Sequence, residues 1–237
     1  MIYAGKVVLV TGARRGVGRM LSAHFQRQGA QVVGFSRHAE DEPAACDTYL
    51  GLAVDVADAE AVARGLGQIN QRFGRLDIVV NNAAVLTSQY AMIMPAGAAR
   101  SMLETNVLGT FLVAREAAKL MRKRKWGRII NISSMAARLE PAGDAVYAAT
   151  KAAVETLANV MARELAPLNI TCNTLGITAI ATDMLQALPA KKIDAVIAAL
   201  PLPRLATEAD IVNVVDFLAS ERSDGITAQS IFLGGVH

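Results

Sequence analysis

Short apolar runs rich in β-branched residues alternate with amphipathic stretches along the whole chain. The runs are KVVLV (6–10), QVVGF (31–35), LGLAV (50–54), LDIVV (76–80), GRIINIS (127–133), NITCNTL (169–175) and QSIFL (229–233). They are continuously apolar rather than alternating, as expected of strands in a sheet covered on both faces. Helical periodicity fills the intervals at 16–29, 58–73, about 145–166 and 207–219. This order predicts an α/β fold, a doubly wound sheet of about seven parallel strands with helices on both faces. Crossovers are then right-handed, and ligands gather at the carboxyl ends of the strands. No Ser/Gly-rich linker, low-complexity tract or repeat interrupts the series, so one domain over 1–237 is expected.

Composition changes this picture little. A hydrophobic content of 53% is ample for a core, yet no apolar run reaches the roughly 18 residues of a membrane span. The 24 basic and 21 acidic residues leave a net charge of +3, too weak and scattered to suggest nucleic acid. The basic cluster RKRK (122–125) follows the helical stretch MLETNVLGTFLVAREAAKLM, where cations suit the negative end of a helix dipole. Cys46 and Cys172 form no disulfide framework and no metal-ligand spacing, so both read as small buried residues. His24, His38 and His237 are scattered and read as structural, and no metal site is expected. The opening MIYAGKVVLVTG lacks a charged n-region and a cleavage site, which fits a cytoplasmic location.

Chemistry enters at TGARRGVGR, directly after the first strand. Gly12, Gly16 and Gly18 stand where that strand turns into a helix, spaced G-x-x-x-G-x-G. Glycine permits the turn and lets backbone N–H groups approach a pyrophosphate at the helix N-terminus. The second strand ends GFSRH, offering Ser36 and Arg37 but no carboxylate for ribose hydroxyls. With Arg14 and Arg15 in the turn, the guanidinium groups suit a 2′-phosphate, so NADP(H) is expected over NAD(H). The acidic EDE at 40–42 could compete, although a solvated loop is the plainer reading.

In VYAATK, Tyr147 and Lys151 share one helical face. Alone, such a pair is ordinary. An ammonium beside the phenol would favour tyrosinate and lower the tyrosine pKa.

Together, TGARRGVG, Asp55-Val56, NNAA (81–84), NVLGT (106–110), NISS (131–134) and YAATK make the chain resemble the short-chain dehydrogenase/reductase family from end to end. GRIINISS, YAATKAAV, ATDMLQALPAKK, PLPRLATEADI and FLASERSDGITAQSIFLGG are similar to its 3-oxoacyl-[acyl-carrier-protein] reductases. The resemblance implies a Rossmann-type sheet and a homotetramer or homodimer. Tyr147 would be the acid/base and Lys151 its partner, also reaching the cofactor ribose. Ser134, thirteen residues before the tyrosine, would orient the substrate in preference to Ser133, and Asn106 would hold a relay water. Asp55 and Val56 would flank the adenine, Asn82, Ala83 and Ala84 the ribose, and Ile180 and Thr182 the nicotinamide. With Gly12, Arg14, Arg15, Gly16, Val17, Gly18, Ser36 and Arg37, these complete the expected cofactor contacts.

Three departures stand out. Ile177-Thr178 replaces the usual Pro-Gly after the sixth strand, which should stiffen or re-aim the nicotinamide loop. Ala84 replaces a glycine, and the segment 36–49 is short and contains Pro43. Residues 182–206 would form a substrate lid in which Leu185, Leu188, Ile193, Val196 and Ile197 line an acyl channel or pack on the core. Lys191, Lys192 and Arg204 are candidates to meet an acidic carrier protein. The implied activity is NADPH-dependent reduction of a 3-oxoacyl thioester on a carrier protein or coenzyme A. The alternatives are reduction of a free ketone, or oxidation of a secondary alcohol, and a non-catalytic NADP(H)-binding regulator.

Overall fold

The computed structural model describes residues 1–37, 48–180, 193–194, 197–198 and 200–236. The EDE cluster, Pro43, Cys46, Thr182, Lys191 and Lys192 lie outside them, as do Leu185, Leu188 and Val196. Seven parallel strands form one sheet: β1 (Val7–Thr11), β2 (Gln31–Ser36), β3 (Tyr49–Ala53), β4 (Ile78–Asn81), β5 (Gly127–Ser134), β6 (Ile170–Ile177) and β7 (Ser230–Phe232). Their order is β3-β2-β1-β4-β5-β6-β7. The order reverses between β1 and β4, which opens a crevice above their carboxyl ends.

Both faces of the sheet are apolar because successive side chains point to opposite sides. Leu9, Val33, Val79 and Ile129 pack on one side with α2 (Ala59–Phe73) and α4 (Gly109–Met121). The long helix α6 (Ala145–Leu165) covers the same side through Ala158, Met161 and Ala162. Val8, Val10, Ile78 and Ile130 pack on the other side with α1 (Gly16–Arg27). A C-terminal helix, Glu208–Ala219, joins them through Ile211, Val215 and Leu218. All five β1 positions are buried, as a central strand requires.

Local signals set the helix boundaries. The Asp58 carboxylate accepts from the N–H groups of Glu60 and Ala61 at 2.9 and 3.0 Å and starts α2. Thr207 and Asp210 form a reciprocal capping box that starts the C-terminal helix. The stretch 102–121, apolar-periodic throughout, is broken into α3 (Ala96–Met102), a π-helical turn at Leu103–Leu108 and α4. Such turns recur at functional sites, and this one contains Asn106.

Two polar groups in the interior serve the fold alone. Arg128 of β5 is fully buried, with its guanidinium carbon 4.3 Å from the Trp126 ring centroid. It donates to the Ser220 and Gly127 carbonyls and pairs with Asp224. His24 is buried on α1 and meets the Asp216 carboxylate at 2.8 Å, and Tyr3 donates to the same oxygen at 2.6 Å. Cys172 is buried and free, as expected for a small interior residue.

Candidate active site

The glycine turn is built by β1, β4 and the start of α1. Gly12 has φ +66°, a left-handed conformation that glycine adopts without penalty. A Cβ on Gly18 would lie 2.2 Å from the Gly12 carbonyl oxygen, so only glycine lets helix and turn approach this closely. Asn82 ties the turn to the end of β4, its amide donating to the Thr11 carbonyl at 2.9 Å. The Thr11 hydroxyl accepts from the N–H groups of Asn82 and Ala83 at 3.0 and 2.9 Å. Thr11 was absent from the sequence-derived set, although it opens the motif TGARRGVG.

The first turn of α1 carries no acidic residue and no side-chain cap at Arg15. Its N–H groups and the positive end of its dipole therefore face the crevice, as an anion site requires. Arg14, Arg15 and Arg37 are exposed around it, and none takes part in a salt bridge found among the described residues. The turn, its open helix end and these cations fit a dinucleotide carrying a further phosphate.

A cleft of about 1030 Å³ runs from this turn to the start of α6. It is lined by Gly12, Arg14, Arg15, Gly16, Val17, Ser36, Arg37, Asp55, Val56, Asn82, Ala83 and Ala84 at one end. Ser134, Tyr147, Lys151 and Ile180 line the other. Gly18 and Asn106 are the two described members of the expected set that do not line the cleft. Gly18 is packed beneath the turn, and Asn106 is buried behind the wall.

The Asn106 side chain accepts from the Val85 N–H at 2.8 Å and donates to the Val85 carbonyl and Thr150 hydroxyl at 3.0 and 3.1 Å. Thr150 in turn donates to the Tyr147 carbonyl at 2.7 Å. Both amide hydrogens of Asn106 are thus engaged by protein. They fasten the segment after β4 to the helix that carries Tyr147.

Ser133 and Ser134 both line the cleft but have different partners. The Ser133 hydroxyl donates to the Glu155 carboxylate at 3.0 Å. The Ser134 hydroxyl shares the cleft with the Tyr147 phenol and acts to lower its pKa. Lys151 donates through Nζ to the Ile132 carbonyl at 2.8 Å, and this nitrogen lies 5.8 Å from the Tyr147 ring centroid.

The electrostatics differ from the expectation of a lowered phenol. Burial pushes Tyr147 up to about 12, the neighbouring Ser134 hydroxyl opposes the rise only in part, and the Asp144 carboxylate adds to it. Burial also brings Lys151 down to about 8. The reason is geometric. The lysine nitrogen is aimed at a backbone carbonyl of β5 and does not bond to the phenol. In this arrangement Tyr147 holds its proton at neutral pH, the state a proton donor needs.

The lysine shift carries a stability signature. In the folded chain Lys151 loses its proton near pH 8, and in the unfolded chain near 10.5. Between those values the unfolded state binds more protons, so the Lys151 contribution makes folding more favourable as pH rises. The burial penalty is complete below pH 8 and is relieved by 10.5. Lys151→Met, which loses the bond to Ile132 but carries no penalty, should therefore gain on the wild type most below pH 8. That relative gain should shrink by on the order of 3 kcal/mol across the window. Urea midpoints of the two proteins against pH check this, because groups common to both cancel. A constant difference would contradict the assignment.

The Ile177-Thr178 pair lines the cleft, with Thr178 buried against the C-terminal turn at Gly234. Ile193 reaches the cleft from the expected lid. Arg204 does not stand free for a carrier protein. It makes a bidentate pair with Asp210 at 2.7 and 2.9 Å and so supports the cap of the C-terminal helix. Lining residues missed from sequence include Val85, Leu86, Tyr90, Leu139, Pro141 and Asp144. Only Asp144, three residues before Tyr147, had a readable signal, a carboxylate beside the expected acid.

Comparison with known proteins agrees with this geometry. The family described as short chain dehydrogenase matches residues 6–193. The 3-oxoacyl-[acyl-carrier-protein] reductase FabG of Escherichia coli is 34% identical over 240 residues, covering 99% of this chain and 98% of the relative. FabG of Vibrio cholerae is 36% identical with the same coverage. Two solved structures, ElxO with NADP bound and a tyrosine-to-phenylalanine ElxO variant with NADPH bound, each superpose with a TM-score of 0.88. Each is 30% identical to this chain, with 97% of both chains covered. The chain belongs to the short-chain dehydrogenase family and is an oxidoreductase similar to FabG.

Proposed function

We propose that this protein is an NADPH-dependent reductase of 3-oxoacyl thioesters, bound to an acyl-carrier protein or to coenzyme A, and that it forms the 3-hydroxyacyl product. The observation that carries the reading is the placement of Ser134, Tyr147 and Lys151 in the same cleft as the glycine turn and its three cations. Whole-length similarity to FabG supports the substrate class, and likeness to NADP(H)-bound structures supports the cofactor. The chain would work as a single catalytic domain in the cytoplasm, assembled as a homotetramer or homodimer.

The cofactor, when bound, supplies the hydride that reaches the carbonyl carbon. Gly12, Gly16 and Gly18 shape the turn for the pyrophosphate, and Arg14, Arg15, Ser36 and Arg37 take the 2′-phosphate. Val17 completes the turn. Asp55 and Val56 would flank the adenine, Asn82, Ala83 and Ala84 the ribose, and Ile180 and Thr182 the nicotinamide amide. The Ser134 hydroxyl donates a hydrogen bond to the carbonyl oxygen as negative charge develops there. Tyr147 transfers its phenolic proton to that oxygen, completing the alcohol. Lys151 returns a proton to the tyrosinate, with Asn106 fixing the backbone through which a relay water reaches it.

The deciding experiment follows NADPH consumption at about 340 nm with acetoacetyl thioesters, free β-keto esters and cyclic ketones. Turnover confined to thioesters is the expected result. Preference for free ketones would replace the substrate class. Tight NADPH binding without turnover of any ketone would overturn the reductase reading in favour of a regulator.

A further inference from the structure

Resting on the reductase reading, we propose that Glu155 and Arg138 are positioning residues that clamp Ser134 against Tyr147. Glu155 lies one helical turn beyond Lys151 on α6, facing the sheet, and is buried. Its Oε1 accepts from the Ser133 hydroxyl at 3.0 Å, and its Oε2 pairs with the Arg138 guanidinium. Arg138 sits on the short helix α5 (Ala136–Leu139) that follows β5 directly. One carboxylate on the catalytic helix thus grips the chain on both sides of Ser134, at the residue before it and four residues after it.

The remaining contacts close the clamp. Lys151 holds the Ile132 carbonyl from the same helix face, and the Ser134 hydroxyl accepts from the Ala136 N–H at 3.2 Å. The Arg138 guanidinium carbon lies 4.7 Å from the Phe232 ring centroid on β7. Phe232 fills the space over Gly176, where a Cβ would come within 2.1 Å of the ring. Strand β5, helices α5 and α6 and strand β7 therefore meet at one ion pair.

This pair, with the carboxylate buried and the guanidinium about one-third exposed, is a poor source of stability, because desolvation of the carboxylate and solvent screening of the guanidinium offset the attraction. An apolar pair of similar volume would fill this place at no net cost. What such a pair would lack is direction, since it has no hydrogen bonds to hold Ser133 and α5 at fixed angles. Displacement of a catalytic hydroxyl by about 1 Å can lower turnover by up to 10²-fold.

The test is the double variant Arg138→Met/Glu155→Leu, which removes both charges and keeps the volume. We expect an unchanged or raised melting temperature and an unchanged Kd for NADPH. With the best thioester substrate, kcat should fall about tenfold or more while KM moves little. A crystal structure of the variant should show the Ser134 hydroxyl displaced relative to the Tyr147 phenol. Arg138→Lys, which keeps the charge but loses the fork, should recover part of the lost kcat. Wild-type kcat with Ser134 in its wild-type position would overturn the proposal. Should the double variant not fold, Arg138→Lys decides alone, and wild-type kcat in it counts against the clamp. If the wild type reduces no ketone, the reductase reading falls. The crystallographic position of Ser134 in the variant then still decides the clamp.

Discussion

Replacing Tyr147 by phenylalanine should lower kcat/KM for ketone reduction by about 10³-fold and leave NADPH affinity unchanged. The substitution removes one oxygen from a ring that is otherwise buried, so the fold should tolerate it. What disappears is the only phenolic proton in the cleft wall beside Ser134. Tyr90, the other tyrosine lining the cleft, is mostly exposed and lies on a separate segment. The loss should fall mainly on kcat, because the proton moves only as the alkoxide forms. Burial holds Tyr147 near 12, so it should remain protonated throughout the neutral range. The wild-type reduction rate should then show no alkaline limb assignable to this phenol within the neutral range. Retention of most activity in Tyr147→Phe, measured as NADPH consumption, would remove Tyr147 from the mechanism.

The second large effect concerns cofactor choice. Arg15→Ala combined with Arg37→Ala should weaken NADPH binding by about 10²-fold or more and leave NADH binding nearly unchanged. Both guanidinium groups are exposed and without an ion-pair partner among the described residues. The cost of their removal should therefore fall on the ligand and not on folding. Among the described residues, no carboxylate stands at the end of β2, where an NAD-selective site would place one. Fluorescence titration of both cofactors against wild type and variant gives the ratio directly. Equal loss of NADH and NADPH affinity would mean that the arginines serve the pyrophosphate rather than the 2′-phosphate. Raising the salt concentration should mimic the variant in part, because the contact is made at the surface.

Much of this was readable before the structure. The seven apolar runs each overlap a strand, and TGARRGVGR, NISS and YAATK fall at carboxyl ends or helix starts that face the crevice. Periodicity sufficed there because a central parallel strand and a helix on its face each leave a strong local pattern. It failed where the pattern stays the same but the hydrogen bonds change. Leu103 and Leu108 continue the apolar spacing of 102–121, so the π-helical turn left no mark in the sequence.

Side chains whose partners are distant in sequence were equally silent. Glu155 reads as one polar position on a helix, and only the fold brings Ser133 and Arg138 to it. Arg128 reads as a charge in a strand, yet it is fully buried because Trp126, Ser220 and Asp224 converge on it. The direction of the Tyr147 shift was misjudged for a related reason. Spacing puts Lys151 on the correct helix face, but it does not reveal that its nitrogen is committed to the Ile132 carbonyl.

The contact between Gly176 and Phe232 also restricts the order in which this protein can change. An alanine at position 176 cannot enter while the phenylalanine ring stands 2.1 Å from its Cβ. A smaller residue at 232 can come first, at the cost of a cavity and of the surface on which Arg138 stacks. One route between the two arrangements is therefore passable and the other is closed. Lineages or engineered libraries that vary position 176 alone should recover glycine, and those that vary both positions should find the larger residue at 176 only beside a smaller one at 232.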